Sequence, residues 1–235
     1  MSRFGVFDIL GPIMIGPSSS HTAGAARLAK IASIIAGPEI KEVIFLLHGS
    51  FAKTYKGHGT DRALVAGILG MDPDDEKLRY SLDIAKEKDI KVSFREADLG
   101  DVHPNTVKFL IKLKDDNLVT VMGSSIGGGN IIILEVDEEK LEFTGEYPTL
   151  IVKHIDVLGL ISKVTSLIYE EGTNIASMSV FRSKKGSEAT MIFETDNIIP
   201  KSGIEKIKAL ENVIGVRAIK DRKSTRLNSS HLYDL

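Results

Sequence analysis

The stretch LIVKHIDVLGLISKVTSLIYEEG, residues 150–172, decides the fold of the C-terminal part of the chain. Its first residues are mostly apolar and β-branched, which favours a buried strand at Leu150–Ile155. From Leu158 to Glu171 the apolar residues return at the 3.6-residue period of a helix that buries one face. Gly172 can end that helix because glycine adopts a left-handed conformation without strain. The stretch therefore predicts a strand that leads into a helix.

The residues that follow continue the pattern as far as Ile219. Two apolar runs flank the turn sequence KKG, a proline opens a second helix, and a last apolar run comes after it. The predicted elements are strands at Ile175–Arg182 and Glu188–Glu194, a helix at Pro200–Glu211 and a strand at Val213–Ile219. The order βαββαβ is that of a ferredoxin-like fold. Its helices cover one face of an antiparallel sheet, so we expect the other face to find a partner, often a second copy.

A charged segment, EEKLEFTGEYP at residues 138–148, separates this part from the residues before it. A glycine and a proline there precede the new apolar run, as is typical of a boundary. We therefore predict a first domain at residues 1–145 and a second at residues 148–221. Residues 222–235 have no apolar period, and we interpret them as a foreign or disordered tail.

The first domain alternates helix and strand patterns, which places the chain in the α+β class with a mixed α/β N-terminal domain. We predict helices at residues 24–36 and 61–69, and strands at residues 41–48, 91–95, 107–114, 117–122 and 130–136. Thr60 precedes the second helix and is predicted to cap it.

The composition is that of a soluble globular protein, and it restricts the chemistry. The formal net charge is −2, which gives no basic field for nucleic acid. No apolar run approaches the roughly 20 residues of a membrane helix, and no signal-peptide pattern is present, so we expect a cytoplasmic protein. The chain has no cysteine, which excludes a thiol nucleophile and a metal cluster held by this chain's own thiolates.

The most unusual polar motif is GPSSSHTAG, residues 16–24, at the start of the first predicted helix. Hydroxyl side chains at this place commonly cap the helix, but one cap explains one residue and not five. A helix start with several hydroxyls and free amides also suits an anion such as a carboxylate. We favour a ligand site formed by Ser18, Ser19, Ser20, His21 and Thr22.

A second motif, YKGHGTD at residues 55–61, lies in a glycine-rich loop between a strand and a helix. Such loops often carry function on α/β folds. A histidine between two glycines has little to pack against, so we favour a functional His58, with Lys56, Thr60 and Asp61 beside it. The alternative is a polar turn.

Three further loops contain candidate residues. DVHPNT, residues 101–106, offers His103 and Asn105; GSSIGGGN, residues 123–130, is either an anion nest or a flexible hairpin. HIDVLGLI, residues 154–161, could bind a ligand at a turn or be only a turn. His48 and His154 lie in apolar strands, where a structural role is favoured.

Taken in order, GPSSSHTAG, GSFAKTYKGHGTDRALVAGILG, HPNT and SSIGGGN make the first domain resemble the beta chain of bacterial iron–sulfur-dependent L-serine dehydratase. The second domain resembles an ACT domain through its βαββαβ order and the D-x-x-G pattern at Asp156 and Gly159. ACT domains commonly bind amino acids between copies.

The resemblance implies a catalytic partnership. A separate alpha chain would hold a [4Fe–4S] cluster, and together the chains would convert L-serine to pyruvate and ammonia. In that reaction an iron takes the substrate hydroxyl as a Lewis acid while a base takes the α-proton. His58, and second His103, would serve in proton transfer. The implied substrate-binding residues are Ser18, Ser19, Ser20, His21, Thr22, Lys56, Thr60, Asp61, Asn105, Gly127, Gly128 and Gly129, and the implied effector-binding residues are Asp156, Gly159 and Leu160.

A non-catalytic alternative stays open. A similar first domain with an ACT domain forms the regulatory end of some phosphoglycerate dehydrogenases, and such a chain would sense serine without chemistry. A pyridoxal-phosphate enzyme is not favoured because no lysine stands in a convincing setting. Co-purification with a cysteine-bearing partner and visible iron would distinguish the catalytic hypothesis from the serine-sensing one.

Overall fold

The computed structural model of the chain describes residues 14–182 and 184–219. Its contacts divide the chain into two compact units, with the division between Thr144 and Gly145. This division lies within the charged segment that we predicted as the boundary. The predicted tail at residues 222–235 lies outside the described residues.

The first unit consists of helices and one sheet. Its helices are α1 (Ala25–Ala36), α2 (Gly49–Thr54), α3 (Thr60–Ile68) and α4 (Ser81–Glu87), with a π-helical turn at Ser19–Gly24 and a 3₁₀ turn at Glu76–Tyr80. Its strands are β1 (Ile40–Leu47), β2 (Lys91–Glu96), β3 (Thr106–Leu113), β4 (Leu118–Gly127), β5 (Asn130–Val136) and β6 (Glu139–Phe143).

The six strands form one sheet in the order β2-β1-β3-β4-β5-β6. Only β1 and β2 pair in parallel; the other described pairs are antiparallel. Phe45 in β1 lies opposite both Phe94 and Phe109, and its ring stacks on Phe94 with centroids 4.8 Å apart. Aromatic packing therefore joins the edge strand to the centre of the sheet.

Small residues let α1 approach both α3 and the sheet closely. A Cβ atom on Gly67 of α3 would lie 2.2 Å from the carbonyl oxygen of Ala26. A Cβ atom on Gly123 of β4 would lie 2.7 Å from Leu28. Since neither position has room for a methyl group, these glycines set the depth at which α1 packs.

Five elements of the first unit were not predicted: the π-helical turn, α2, α4, the 3₁₀ turn and β6. The two helices are too short to develop a clear period. Strand β6 lies in the charged segment that we interpreted as boundary alone, and its Leu141 and Phe143 are buried. The alternation of these two residues with charged ones was a strand signal that the charge hid.

The second unit has the predicted βαββαβ order. Its elements are β7 (Thr149–Ile155), α5 (Leu160–Glu170), β8 (Ile175–Arg182), β9 (Glu188–Thr195), α6 (Lys201–Lys208) and β10 (Val213–Ile219). The four strands are antiparallel in the order β10-β7-β9-β8. Leu150, Val152, Met191 and Phe193 of the central strands pack with residues of both helices in one core.

On the second face of this sheet, Ile151 and Ile192 lie outside the helix-side core and are 9% and 2% exposed. That this face finds a partner, often a second copy, stays a prediction. The edge strand β8 is the more open part, with Met178 and Val180 exposed.

Among the described residues, no helix combines the length and the hydropathy required to cross a membrane.

Candidate functional site

The candidate residues of the first unit gather at one end of the central strands of its sheet. Strand β1 ends there, where the His48 amide donates to the carbonyl of Thr106 at 3.0 Å. The β4–β5 hairpin lies at the same end of the sheet, since the Ser125 amide donates to the Asn105 carbonyl at 3.0 Å. The start of α1 lies against this hairpin, because a Cβ on Gly24 would be 2.0 Å from Ser125 Oγ. The fold thus brings together motifs that are up to about a hundred residues apart.

The GPSSSHTAG motif forms a π-helical turn that leads into α1. Ser18 is the N-cap residue, and its Oγ accepts a hydrogen bond from the His21 amide at 3.2 Å. The capping interpretation therefore describes Ser18. Ser20 instead places its hydroxyl 3.3 Å from Nδ1 of the His21 ring, and Thr22 donates to the carbonyl of His58 at 3.4 Å. π-Helical turns are frequent at functional sites.

His21 is the centre of the arrangement. Its Nε2 lies 3.1 Å from Oγ of Ser50, which is at the start of α2. Its ring meets the rings of Phe51 and His58 edge-on, with centroids 5.3 and 4.9 Å away. The serine turn, the start of α2 and the His58 loop therefore meet at one half-buried imidazole.

Burial lowers the pKa of His21, and the nearby charge of His58 lowers that pKa further. Both effects disfavour the positively charged form of His21. His21 is therefore neutral near pH 7, with one ring nitrogen able to donate and the other able to accept.

We expect the lowered pKa of His21 to appear in the pH dependence of the free energy of unfolding. Because the folded pKa lies below the ordinary value of about 6.5, stability that depends on neutral His21 is fully present above about pH 6.5 and is lost as the pH falls through the folded pKa. Urea unfolding at pH ~7.5 and pH ~5.5 should show a larger acid loss for the wild type than for His21→Gln. Equal losses in the two proteins would contradict the assignment.

The YKGHGTD loop carries an exposed His58 above this cluster. The amide of His58 donates to Thr54 at 3.1 Å and that of Thr60 donates to Tyr55 at 2.9 Å. Tyr55 stacks on Phe94 with centroids 5.5 Å apart, which anchors the loop to the sheet. Lys56 is exposed, with Nζ 5.7 Å from the centroid of the Tyr55 ring.

The prediction that Thr60 caps α3 was wrong. Gly59 holds the N-cap position in a left-handed conformation with φ of 68°, and Thr60 is the first helical residue. Its hydroxyl is fully buried and has no hydrogen-bond partner within the described residues. Asp61 accepts a hydrogen bond from the Arg62 amide at 2.8 Å, in the first turn.

The HPNT loop is tied to α2 and to itself. The Ser50 amide donates to the carbonyl of Pro104 at 2.8 Å. His103 is exposed, and its Nδ1 accepts a hydrogen bond from the Asn105 amide at 3.1 Å. The hydroxyl of Thr106 donates to the His103 carbonyl at 2.5 Å. One nitrogen of His103 thus stabilises its own loop.

The three glycines form the β4–β5 hairpin. Gly127, Gly128 and Gly129 have φ of 104°, 63° and 82°, which residues with a side chain rarely adopt. Arg27 of α1 donates to the Gly129 carbonyl at 2.8 Å. The hairpin interpretation is therefore right about geometry, and the loop is held to the helix that carries the serine–histidine turn.

The predicted effector residues of the second unit have separate positions. Asp156 Oδ2 accepts hydrogen bonds from Arg182 at 2.9 Å and from the Gly186 amide at 3.3 Å. Arg182 first, and Gly186 second, hold the pKa of Asp156 below its ordinary value. Gly159 is the N-cap of α5 with φ of 82°, and a Cβ there would meet open space. Leu160 is 2% exposed in the core, so only its backbone is available to a ligand.

His154 lies just before this turn on β7. It is 1% exposed, in keeping with the structural role that we favoured. Nδ1 lies 2.8 Å from the carbonyl oxygen of Ile155, whereas Nε2 is buried without a hydrogen-bond partner in the described part of the chain.

Three residues near the first site were not predicted: Ser50, Phe51 and Arg27. Ser50 and Phe51 follow the β1 strand within the sequence GSF, where a small polar residue after a buried strand was the available signal. Arg27 lies in an otherwise small and apolar helix sequence, GAARLAKIA. Its partner is 102 residues away, so no local pattern connects the two.

Comparisons with known proteins agree with both units. Residues 5–136 match the family described as serine dehydratase beta chain, and residues 148–212 match the ACT domain. An L-serine dehydratase beta chain of Peptoniphilus asaccharolyticus is 42% identical, over 86% of this chain and 91% of its own length. A probable L-serine dehydratase beta chain of Bacillus subtilis is also 42% identical, over 92% of this chain and 98% of its own.

Relatives of the kind in the regulatory alternative are less similar and are matched over a smaller share of their own length. A D-3-phosphoglycerate dehydrogenase of Methanocaldococcus jannaschii is 34% identical over 58% of this chain, but over only 25% of its own length. The beta-chain matches extend over nearly the whole of both proteins and include both units. The chain belongs to the serine dehydratase beta-chain family and carries a C-terminal ACT domain.

Proposed function

We propose that this chain is the beta subunit of an L-serine dehydratase and that it converts L-serine to pyruvate and ammonia together with an alpha chain. The observation that carries the proposal is the meeting of the serine turn, the start of α2 and the His58 loop at His21. This cluster combines hydroxyl groups, a neutral imidazole and a solvent-accessible imidazole. Such groups suit a small zwitterion that must be bound and then lose a proton.

The roles divide between the buried and the exposed side of the cluster. The hydroxyls of the Ser18–Thr22 turn are proposed to bind the substrate carboxylate at the start of α1. His58 is proposed to take the α-proton, because it is exposed beside that turn. Loss of the proton and of the β-hydroxyl releases water and leaves aminoacrylate. Its imine form takes up water again to give pyruvate and ammonia, so the overall reaction consumes no water.

An iron–sulfur cluster does not fit the residues of this chain. The sequence has no cysteine, and within residues 14–182 and 184–219 no group of three His, Cys, Asp or Glu side chains could hold a metal ion. We propose that the [4Fe–4S] cluster of the enzyme belongs to the alpha chain. His58 and the serine turn would then face the partner.

Anaerobic reconstitution tests the proposal. Each chain is purified alone and mixed with the other, and pyruvate from L-serine, bound iron and cluster absorbance are measured. We expect pyruvate only from the mixture, and iron only in the alpha chain. Pyruvate from this chain alone would contradict the proposal, as would an alpha chain that is fully active alone and gains nothing on mixing.

A serine-sensing module is the second candidate, and the similarity to a D-3-phosphoglycerate dehydrogenase favours it. It predicts binding of L-serine to this chain without any effect on the rate of a partner. Calorimetry with L-serine, done in parallel with reconstitution, separates the two: sensing alone gives heat of binding and no more pyruvate from the mixture than from the separate chains.

The ACT domain is proposed to bind an amino acid at the β7–α5 turn and to associate with a second copy. Asp156 and the backbone at Gly159 and Leu160 are its proposed contacts. The exposed β8 edge supports association, since an unpaired edge accepts another strand. Light scattering of the full chain, with and without L-serine, measures this; a monomer at all concentrations would remove it.

A further inference from the structure

Ser50 occupies a fixed position where three pieces of the site meet. Its amide donates to Pro104 at 2.8 Å and its carbonyl accepts from Thr54 Oγ1 at 2.8 Å, so its backbone is held on both sides. Its hydroxyl lies 3.1 Å from His21 Nε2. Ser50 therefore contacts the His21 ring from outside the Ser18–Thr22 turn.

The distances around the His21 ring indicate which nitrogen carries the proton. N–H···O hydrogen bonds in proteins span about 2.7–3.2 Å. The Nε2···Ser50 distance of 3.1 Å falls within this range, whereas the distances from Nδ1 to the hydroxyls of Ser20 and Ser18 are 3.3 and 3.4 Å. Either nitrogen could donate in these contacts, and the shorter Nε2 contact is the one that suits a ring N–H donated to a hydroxyl oxygen.

The hydroxyl of Ser18 agrees with this assignment. It already accepts the His21 amide hydrogen at 3.2 Å, so its own hydrogen is left to donate. Two acceptor sites lie within reach of that hydrogen, His21 Nδ1 and the Ser20 oxygen, each at 3.4 Å. With both hydroxyls donating to Nδ1, the proton of the neutral ring is on Nε2.

We propose that Ser50 is a positioning residue that accepts the Nε2–H of His21 and thereby sets the tautomer and the ring orientation of this histidine. The inference rests on the proposed function only in that His21 serves the site described there. Ring partners of this kind fix both orientation and proton position in other histidine sites. The neutral state of His21 near pH 7 leaves a tautomer to be selected.

The test is a long-range ¹H–¹⁵N NMR spectrum of the labelled chain without any partner, with His21 assigned through His21→Gln. We expect His21 to carry its proton on Nε2. In Ser50→Ala the ratio of Nε2–H to Nδ1–H should fall by about fivefold, the weight of one ordinary hydrogen bond. Ser50→Thr keeps the hydroxyl and should restore the wild-type ratio.

Two results would overturn the proposal: an Nδ1–H tautomer in the wild-type spectrum, or an unchanged ratio in Ser50→Ala. The wild-type spectrum decides the first even if a variant fails to fold. Lys53→Ala is the matched control, because Lys53 is exposed on the same short helix and should leave the ratio unchanged.

Activity is a separate readout in the reconstituted enzyme. Ser50→Ala should lower kcat by about 10–100-fold, with a smaller change in KM, by analogy with the partners that orient metal-ligating histidines. An inactive wild-type mixture would count against the proposed function and leave the tautomer result in place. Normal kcat together with a changed tautomer ratio would show that the position of the proton does not matter for turnover. It would overturn the proposed role of Ser50 in the site.

Discussion

Turnover of the reconstituted two-chain enzyme is expected to fall by roughly 10²–10⁴-fold when His58 is replaced by alanine, the range for a positioned acid–base group. The ring is exposed and lies between two glycines, so truncation opens no cavity in the core. The loop keeps its backbone bonds from His58 to Thr54 and from Thr60 to Tyr55. The free energy of unfolding should therefore stay nearly constant while kcat falls.

The measurement is kcat and KM for L-serine, with the unfolding temperature of each variant beside them. His103→Ala is the informative comparison. One nitrogen of His103 is used to bind its own loop, so we expect a smaller loss of kcat than for His58→Ala. Near-normal turnover of His58→Ala would remove this residue from the mechanism. A loss equal to that of His103→Ala, with both proteins destabilised, would indicate a shared structural effect.

Gly67→Ala is expected to destabilise the first unit by about 3 kcal/mol, the upper end of the range for an overpacked core. The added Cβ would lie 2.2 Å from the Ala26 carbonyl oxygen and 2.8 Å from the Lys30 amide nitrogen. Both are backbone atoms inside α1, so a side-chain rotation cannot relieve the overlap. The gain of roughly 1 kcal/mol that alanine usually gives a helix is too small to compensate.

Urea unfolding followed by circular dichroism measures this loss. Gly57→Ala is the matched control, because a Cβ there would meet only the Thr54 carbonyl, at 3.8 Å. That variant should be as stable as the wild type or slightly more stable, since alanine restricts the unfolded chain. Equal stability of the Gly67 and Gly57 variants would show that α1 and α3 can separate at little cost.

The extent to which the sequence predicts this molecule depends on the distance over which each signal acts. The βαββαβ order was predicted because each element has its own apolar period, as in Leu150–Ile155. The ion pair of Asp156 with Arg182 was not predicted, because its two partners belong to separate strands and loops. A turn was all that the local sequence indicated at that aspartate.

The first site follows the same rule. Its motifs were identifiable from unusual local compositions, as in SSSHT and KGHGT. The central place of His21 could not be identified, because it depends on contacts with Ser50, Phe51 and His58 that form only in the folded unit. The π-helical start of α1 was also hidden, since hydroxyl residues at this place are typical of an ordinary helix cap.

The hydrogen bond from Arg27 to the carbonyl of Gly129 has a consequence for the order of events during synthesis. The two residues are 102 positions apart, so the serine–histidine turn leaves the ribosome well before the hairpin that it binds. At about 5–20 residues per second, the interval is roughly 5–20 s. Through this time α1 lacks both its glycine loop and the strands β3 to β5 that cover it. The nascent first unit therefore exposes apolar surface of α1 until β5 has emerged, and this surface is open to chaperones during the interval.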